Sequence, residues 1–136
     1  MRRVPRLLRY SSLLSLTACA CRPGQGPDLV PLQTAPAFCD IVPSAQGKNL
    51  RVTIKNQGSG FISRSITTRV ILPGVPPIDL DIPGGSLGPG GTYEHLVPIP
   101  LAAFQPDLQF TLTADAFSVV PESDEANNTV SGVCVG

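Results

Sequence analysis

The fold class is decided by the stretch Leu50-Arg51-Val52-Thr53-Ile54-Lys55, in which apolar and polar residues alternate without interruption. Neighbouring side chains of a β-strand point to opposite faces, so this alternation predicts a half-buried strand with Leu50, Val52 and Ile54 on its inner face. Further strands are predicted where the alternation continues or returns, in segments 66–72, 78–82, 93–99, 108–114 and 129–135.

Turn residues separate these segments. Asn56-Gln57-Gly58-Ser59-Gly60 follows the first clear strand, and Pro83-Gly84-Gly85 and Gly88-Pro89-Gly90-Gly91 flank later ones. No stretch has the periodicity of an amphipathic helix. Short strands with frequent turns and no helices predict an all-β sandwich or barrel, and 136 residues suffice for one domain.

The first residues have the parts of an export signal. Four arginines between Arg2 and Arg9 precede the apolar stretch 10–16, and small residues follow. Leu16-Thr17-Ala18-Cys19 resembles a bacterial lipobox, which implies a signal peptide over 1–18, cleavage before Cys19 and a lipid on that cysteine. Cleavage after Ala20 with ordinary secretion is the alternative, and no export is the third possibility. Residues 19–27 then form a Pro/Gly-rich tether ahead of a domain over 28–136.

The net charge of zero averages two unlike parts. Without the leader, six basic residues face ten acidic ones, a net charge of −4. This balance, with no basic cluster, argues against nucleic acid as a partner. No run of about 18 apolar residues is present, so no spanning helix is expected.

Two cysteines lie at opposite ends of the predicted domain. Export would place Cys39 and Cys134 where disulfides form, so we expect one bridge between the first and last strands, which favours a sandwich over a barrel. Two buried free thiols are the alternative. Zinc is disfavoured because neither cysteine has a second Cys or a His nearby.

Several segments resemble the bacterial cell-adhesion-related domain family (CARDB). They are Pro27-Asp28-Leu29-Val30, the run 52–60, the turn 87–91, and Asp115 with Glu122-Ser123-Asp124-Glu125-Ala126-Asn127-Asn128-Thr129. The resemblance implies an immunoglobulin-like β-sandwich of about seven antiparallel strands, found in surface proteins with a presumed adhesive role. It supplies no catalytic or ligand residue. Similar sequences with cysteines placed like Cys39 and Cys134 often have a second pair beside 104–108, which this chain lacks.

One acidic cluster could begin a metal site. Asp115, Glu122, Asp124 and Glu125 offer the oxygen ligands that Ca²⁺ prefers, although their spacing is not that of an EF-hand. The alternative is a connection before the last strand, in which Asn127 or Asn128 bonds to the backbone and the glutamates stay solvated. A thermal melt with and without Ca²⁺ distinguishes the two.

No catalytic constellation is found. His95 has no nucleophile in a recognised context, and the stretch 84–91 lacks the Gly-Lys-Ser/Thr of a phosphate-binding loop. The acceptor pattern Asn127-x-Thr129 is not expected to be glycosylated behind a bacterial-type leader. We therefore expect no enzyme and no cofactor.

The sequence favours a non-catalytic, adhesion-type module of the cell envelope, lipid-anchored or secreted. Its partner would be a surface protein or carbohydrate, with membrane contact through a lipid on Cys19. A spacer domain without a ligand is the alternative, and a Ca²⁺-binding module is third. An apolar surface patch built from Ile71, Leu96 or Val133 would favour binding over spacing.

Overall fold

The computed structural model describes residues 26–136. The predicted signal segment, Cys19 and most of the tether lie outside these residues. Eight strands make up almost all of the regular structure: β1 Leu29–Pro31, β2 Ile41–Ser44, β3 Gly47–Asn56, β4 Ile66–Ile71, β5 Ile78–Ile82, β6 Thr92–Ile99, β7 Leu108–Thr113 and β8 Thr129–Cys134. Two 3₁₀ helices, Pro36–Phe38 and Leu101–Ala103, lie in connections.

The strands form two antiparallel sheets of four strands each. In the first sheet, β6 pairs along one side of β3, while β1 and β2 lie end to end along its other side. The second sheet has the order β5-β4-β7-β8. This arrangement is an all-β sandwich, which is one of the two folds that the alternation and turns predict and the one that the expected disulfide favours.

The core lies between the two sheets. Leu50, Val52 and Ile54 are fully buried, so the inner face predicted for β3 is confirmed. The inner residues of β4 and β7 meet them from the second sheet, and Leu29 closes the core from β1. Gly132 is one of the inner residues of β8, and a Cβ atom there would overlap the Phe110 ring and lie 2.8 Å from the carbonyl oxygen of Ala37.

The structure has eight strands, against six segments predicted from the alternation and about seven implied by the family resemblance. The short strands β1 and β2 contain Pro31 and Pro43 and are too brief to show a clear alternation. Proline cannot donate a hydrogen bond to a neighbouring strand, which confines it to sheet edges, and both strands lie at one. Within residues 26–136, no helix is long and apolar enough to cross a membrane.

Cys39 and Cys134 form a disulfide, with their Cα atoms 5.1 Å apart. Cys39 does not belong to the first strand: it lies between the 3₁₀ helix Pro36–Phe38 and β2. Cys134 is the last residue of β8. The bridge therefore joins the connection between β1 and β2 of the first sheet to the edge strand of the second.

The two ends of the sandwich differ in what they contain. One end carries the loops 57–65, 83–91 and 114–128, and Gly26 lies there because its carbonyl accepts a hydrogen bond from the Ser59 amide. We call this the N-terminal end. Gly136 lies at the opposite end, where its amide donates to Asp107. The chain thus enters at one end of the domain and leaves at the other.

Candidate functional site

The acidic cluster of the sequence lies in the loop 114–128, between β7 and β8. Asp115 is 2% exposed, and its two carboxylate oxygens accept hydrogen bonds from the backbone amides of Val119 and Val120, both at 2.9 Å. A carboxylate that satisfies two backbone amides in this way holds a turn in place. Asp115 therefore shapes the first part of the loop.

Glu122 joins this loop to β1 in the first sheet. One of its carboxylate oxygens accepts a hydrogen bond from the backbone amide of Leu29, and the other accepts one from the side-chain amide of Asn128. The side chain is 6% exposed. Because Leu29 is 93 residues away in the chain, this contact ties the loop to the start of the domain.

The remaining polar residues of the loop also make hydrogen bonds. Asp124 accepts from the Ala126 amide and Glu125 from the Glu122 amide, both at 2.8 Å. The Asn127 side-chain amide donates to Asp28 at 2.9 Å, just before β1. The run of carboxylates followed by two asparagines thus joins the loop to the start of β1 through hydrogen bonds.

A buried polar residue of the first sheet, Asn56, also holds the loops at this end of the sandwich. Its side-chain oxygen accepts from the Asp28 and Gly58 amides, each at 3.1 Å, and its nitrogen donates to the carbonyls of Gly60 and Leu87. The residue is fully buried. Asn56 was not among the predicted site residues, yet the alternation that turns Leu50, Val52 and Ile54 inward also turns position 56 inward.

These contacts bear on the calcium hypothesis. The carboxylates of Asp115, Glu122, Asp124 and Glu125 all accept hydrogen bonds from N–H donors, as in the hydrogen-bonded alternative. In the described part of the chain, no group of three His, Cys, Asp or Glu residues is arranged to hold a metal ion. Glu122 is buried rather than solvated, which corrects that part of the alternative.

Burial raises the pKa of Glu122 to about 7. The hydrogen bonds from Leu29 and Asn128 act in the opposite direction and lower this pKa, whereas the nearby charges of Glu125 and Asp115 raise it further. The folded state therefore favours the protonated carboxyl. Its contribution to stability is fully present below the unfolded pKa of 4.5 and is lost as the pH rises through about 7.

We predict that Glu122→Gln flattens the pH dependence of stability. A shift of this size corresponds to about 3 kcal/mol of unfolding free energy lost between pH 4.5 and pH 8 in the wild type. The lowered pKa of His95, which burial causes, gives the opposite slope, so the difference between wild type and variant isolates Glu122. Urea unfolding at pH 5 and pH 8 measures it, with the exposed Glu94→Gln as control. Equal slopes in wild type and Glu122→Gln would contradict the prediction.

His95 lies in β6, opposite Val52 of β3. Its ring centroid is 5.0 Å from that of Tyr93, and its Nε2 atom is buried without a hydrogen-bond partner in the described residues. Burial lowers its pKa, so the imidazole is neutral at pH 7. These are the surroundings of a histidine at the margin of a core.

The three apolar residues expected on the surface divide between the two sheets. Ile71 and Val133 are 44% and 37% exposed and line one shallow groove on the outer face of the second sheet, together with Pro73, Gln109 and Thr111. Leu96 is 50% exposed but lies on β6 of the first sheet. The groove is therefore the apolar surface that two of the three residues share.

Comparison with known proteins places the chain in a family. Residues 26–132 match the family model CARDB, so the resemblance in the sequence is confirmed. The fold is similar to the NMR structure of a domain of a Methanosarcina acetivorans protein provisionally named a cell surface protein, with a TM-score of 0.61 and 22% sequence identity over 82% of this chain and 92% of that one. No curated protein matches the chain. Because the match covers more than half of its length, the protein belongs to the CARDB family.

Proposed function

We propose that the protein is a non-catalytic interaction module of the cell envelope that binds a surface partner through the groove on its second sheet. Membership of the CARDB family and similarity to a domain provisionally named a cell surface protein support a place outside the cell. The arginine-rich leader supports export. Lipid attachment at Cys19 would keep the module at the membrane.

The composition of the groove on the second sheet supports its choice as the binding surface. Ile71 and Val133 lie in the same groove, where two neutral polar side chains, Gln109 and Thr111, separate them. Apolar side chains set among uncharged polar ones are typical of surfaces that bind protein, because they lose water at little electrostatic cost. The groove lies on β4, β7 and β8, so regular sheet structure holds its residues in place.

A binding comparison tests the proposal. The mature protein is immobilised and exposed to the envelope fraction of its own source cells, beside the variants Ile71→Arg and Leu96→Arg. The two residues have similar exposure but lie on different sheets. We expect the wild type and Leu96→Arg to retain the same partner and Ile71→Arg to lose it. Equal retention by all three proteins would place binding elsewhere.

A spacer domain is the second candidate, and the positions of the first and last residues of the domain favour it. Gly26 and Gly136 lie at opposite ends of the sandwich. A domain joined at opposite ends extends a chain by its full length, which is the geometry that a spacer needs. In the binding comparison, absence of any partner on the wild type supports this candidate.

A further inference from the structure

The four outer margins of the two sheets are not equally protected. An exposed edge strand offers unpaired backbone groups, and proteins usually guard such strands with proline or charge. Four of the five edge strands follow this rule: β1 contains Pro31, β2 contains Pro43, β6 contains Glu94 and Pro98, and β5 contains Asp79 and Asp81. The fifth, β8, reads Thr-Val-Ser-Gly-Val-Cys and has neither.

Nothing in residues 26–136 pairs with the outer side of β8. Among the described residues, its backbone pairs with β7 alone. The 3₁₀ helix Pro36–Phe38 lies beside it, on the inner side, where the Ala37 carbonyl approaches Gly132. The backbone hydrogen bonds of residues 35–40 run within that segment and to Arg51, and none reaches β8.

The sequence of β8 is compatible with a second copy of itself. In an antiparallel pair centred on Ser131, Ser131 faces its own counterpart, Thr129 faces Val133, and Val130 faces Gly132. No charges meet, and no two large side chains are opposed on the inner face. On the outer face, the two Ser131 hydroxyls would lie opposite each other, and Thr129, whose hydroxyl already contacts that of Thr113 at 3.2 Å, would pack its methyl group beside Val133.

We propose that two copies of the protein associate through antiparallel pairing of their β8 strands, with a two-fold axis at Ser131. The pairing joins the two second sheets into one sheet of eight strands. Such an interface is isologous, because each copy contributes the same residues. Its attraction comes from backbone hydrogen bonds along an edge, the mode that sheets use when they take up an added strand.

This dimer goes beyond the proposed function. The groove includes Ser131 and Val133 of β8, but the dimer forms through the backbone edge of that strand, whereas the binding comparison changes Ile71 in β4, two strands further in. Antiparallel pairing also turns the N-terminal ends of the two copies in opposite directions. If both copies carry an anchor at that end, the dimer joins two facing surfaces rather than two neighbours on one surface.

Sedimentation of the mature protein tests the dimer, over concentrations from about 1 µM to about 1 mM. We expect reversible dimerisation of the wild type. Ser131→Lys should weaken it about tenfold or more, because two lysines then meet at the axis. Thr111→Lys is the matched control, since Thr111 faces Ser131 from the adjacent strand β7 and lies away from the axis. Thermal melts establish that both variants are folded.

A cysteine pair gives an independent readout of the register. Under mild oxidation, Ser131→Cys should form more disulfide-linked dimer than Thr111→Cys. The amount formed by Thr111→Cys measures cross-linking away from the axis and through the other cysteines of the chain. Three results would overturn the proposal: a monomeric wild type throughout the range, equal weakening by the two lysine variants, or equal cross-linking by the two cysteine variants. The binding comparison with Ile71→Arg is independent of all three.

Discussion

Replacing Asn56 with alanine is expected to lower the free energy of unfolding by about 3–5 kcal/mol. At this fully buried position, the substitution removes the partner of two backbone amides and of the Gly60 carbonyl, while the Leu87 carbonyl keeps only its hydrogen bond from the Ile62 amide. Each buried polar group without a partner costs about 1–3 kcal/mol, and water entering beside the loops offsets part of the sum. The predicted loss is large because one side chain connects β1 to two loops.

Urea unfolding measures the effect, with Asn49→Ala as the matched control. Asn49 lies on the same strand, β3, but is only partly buried, and no buried network depends on its side chain in the described residues. Its replacement should change stability by less than about 1 kcal/mol. A loss of similar size in both variants would mean that the Asn56 network contributes little beyond an ordinary position on the strand.

Removal of the Cys39–Cys134 disulfide is the second large effect. The bridge spans 95 residues, and closing a loop of that length stabilises a fold by about 4.5 kcal/mol in the chain-entropy model. The double variant Cys39→Ala/Cys134→Ala should lose about this amount in urea unfolding. Alanine is preferred to serine because Cys134 is buried in the core, where a hydroxyl would need a partner.

Reduction supplies the control for this prediction. A thiol reductant should lower the stability of the wild type to nearly that of the double variant and leave the double variant unchanged. The prediction would be contradicted if the double variant lost stability without reductant while the reduced wild type lost none. The loss would then come from the altered core and not from the missing cross-link.

The strands show what alternation can and cannot predict. Segment 78–82 was predicted with the bounds that β5 has, and 66–72 and 108–114 differ from β4 and β7 by one residue each. Period-two patterns identify such strands because one face is buried and the other is not. This pattern does not identify β1 and β2, because strands of three or four residues that include a proline are too short to show a clear alternation.

The candidate site was less predictable from the sequence. The run from Glu122 to Asn128 could be identified as a family feature, but its role depends on Leu29, which is distant in the chain. A carboxylate that bonds to a remote backbone amide leaves no local signature. The charge of Glu122 suggested a solvated side chain, whereas tertiary packing buries it and uses both oxygens.

The position of the disulfide also determines how the domain responds to a pulling force. Tension applied between Gly26 and Gly136 passes through the covalent bridge, so the residues between Cys39 and Cys134 carry none of it. Only about 15 of the described residues lie outside the bridge and can extend, and their fully stretched length is about 50 Å. Without the disulfide, unfolding of the enclosed loop would add about 300 Å of extended chain. Under load, the oxidised domain acts as a short link of limited reach, and reduction would turn it into a long compliant one.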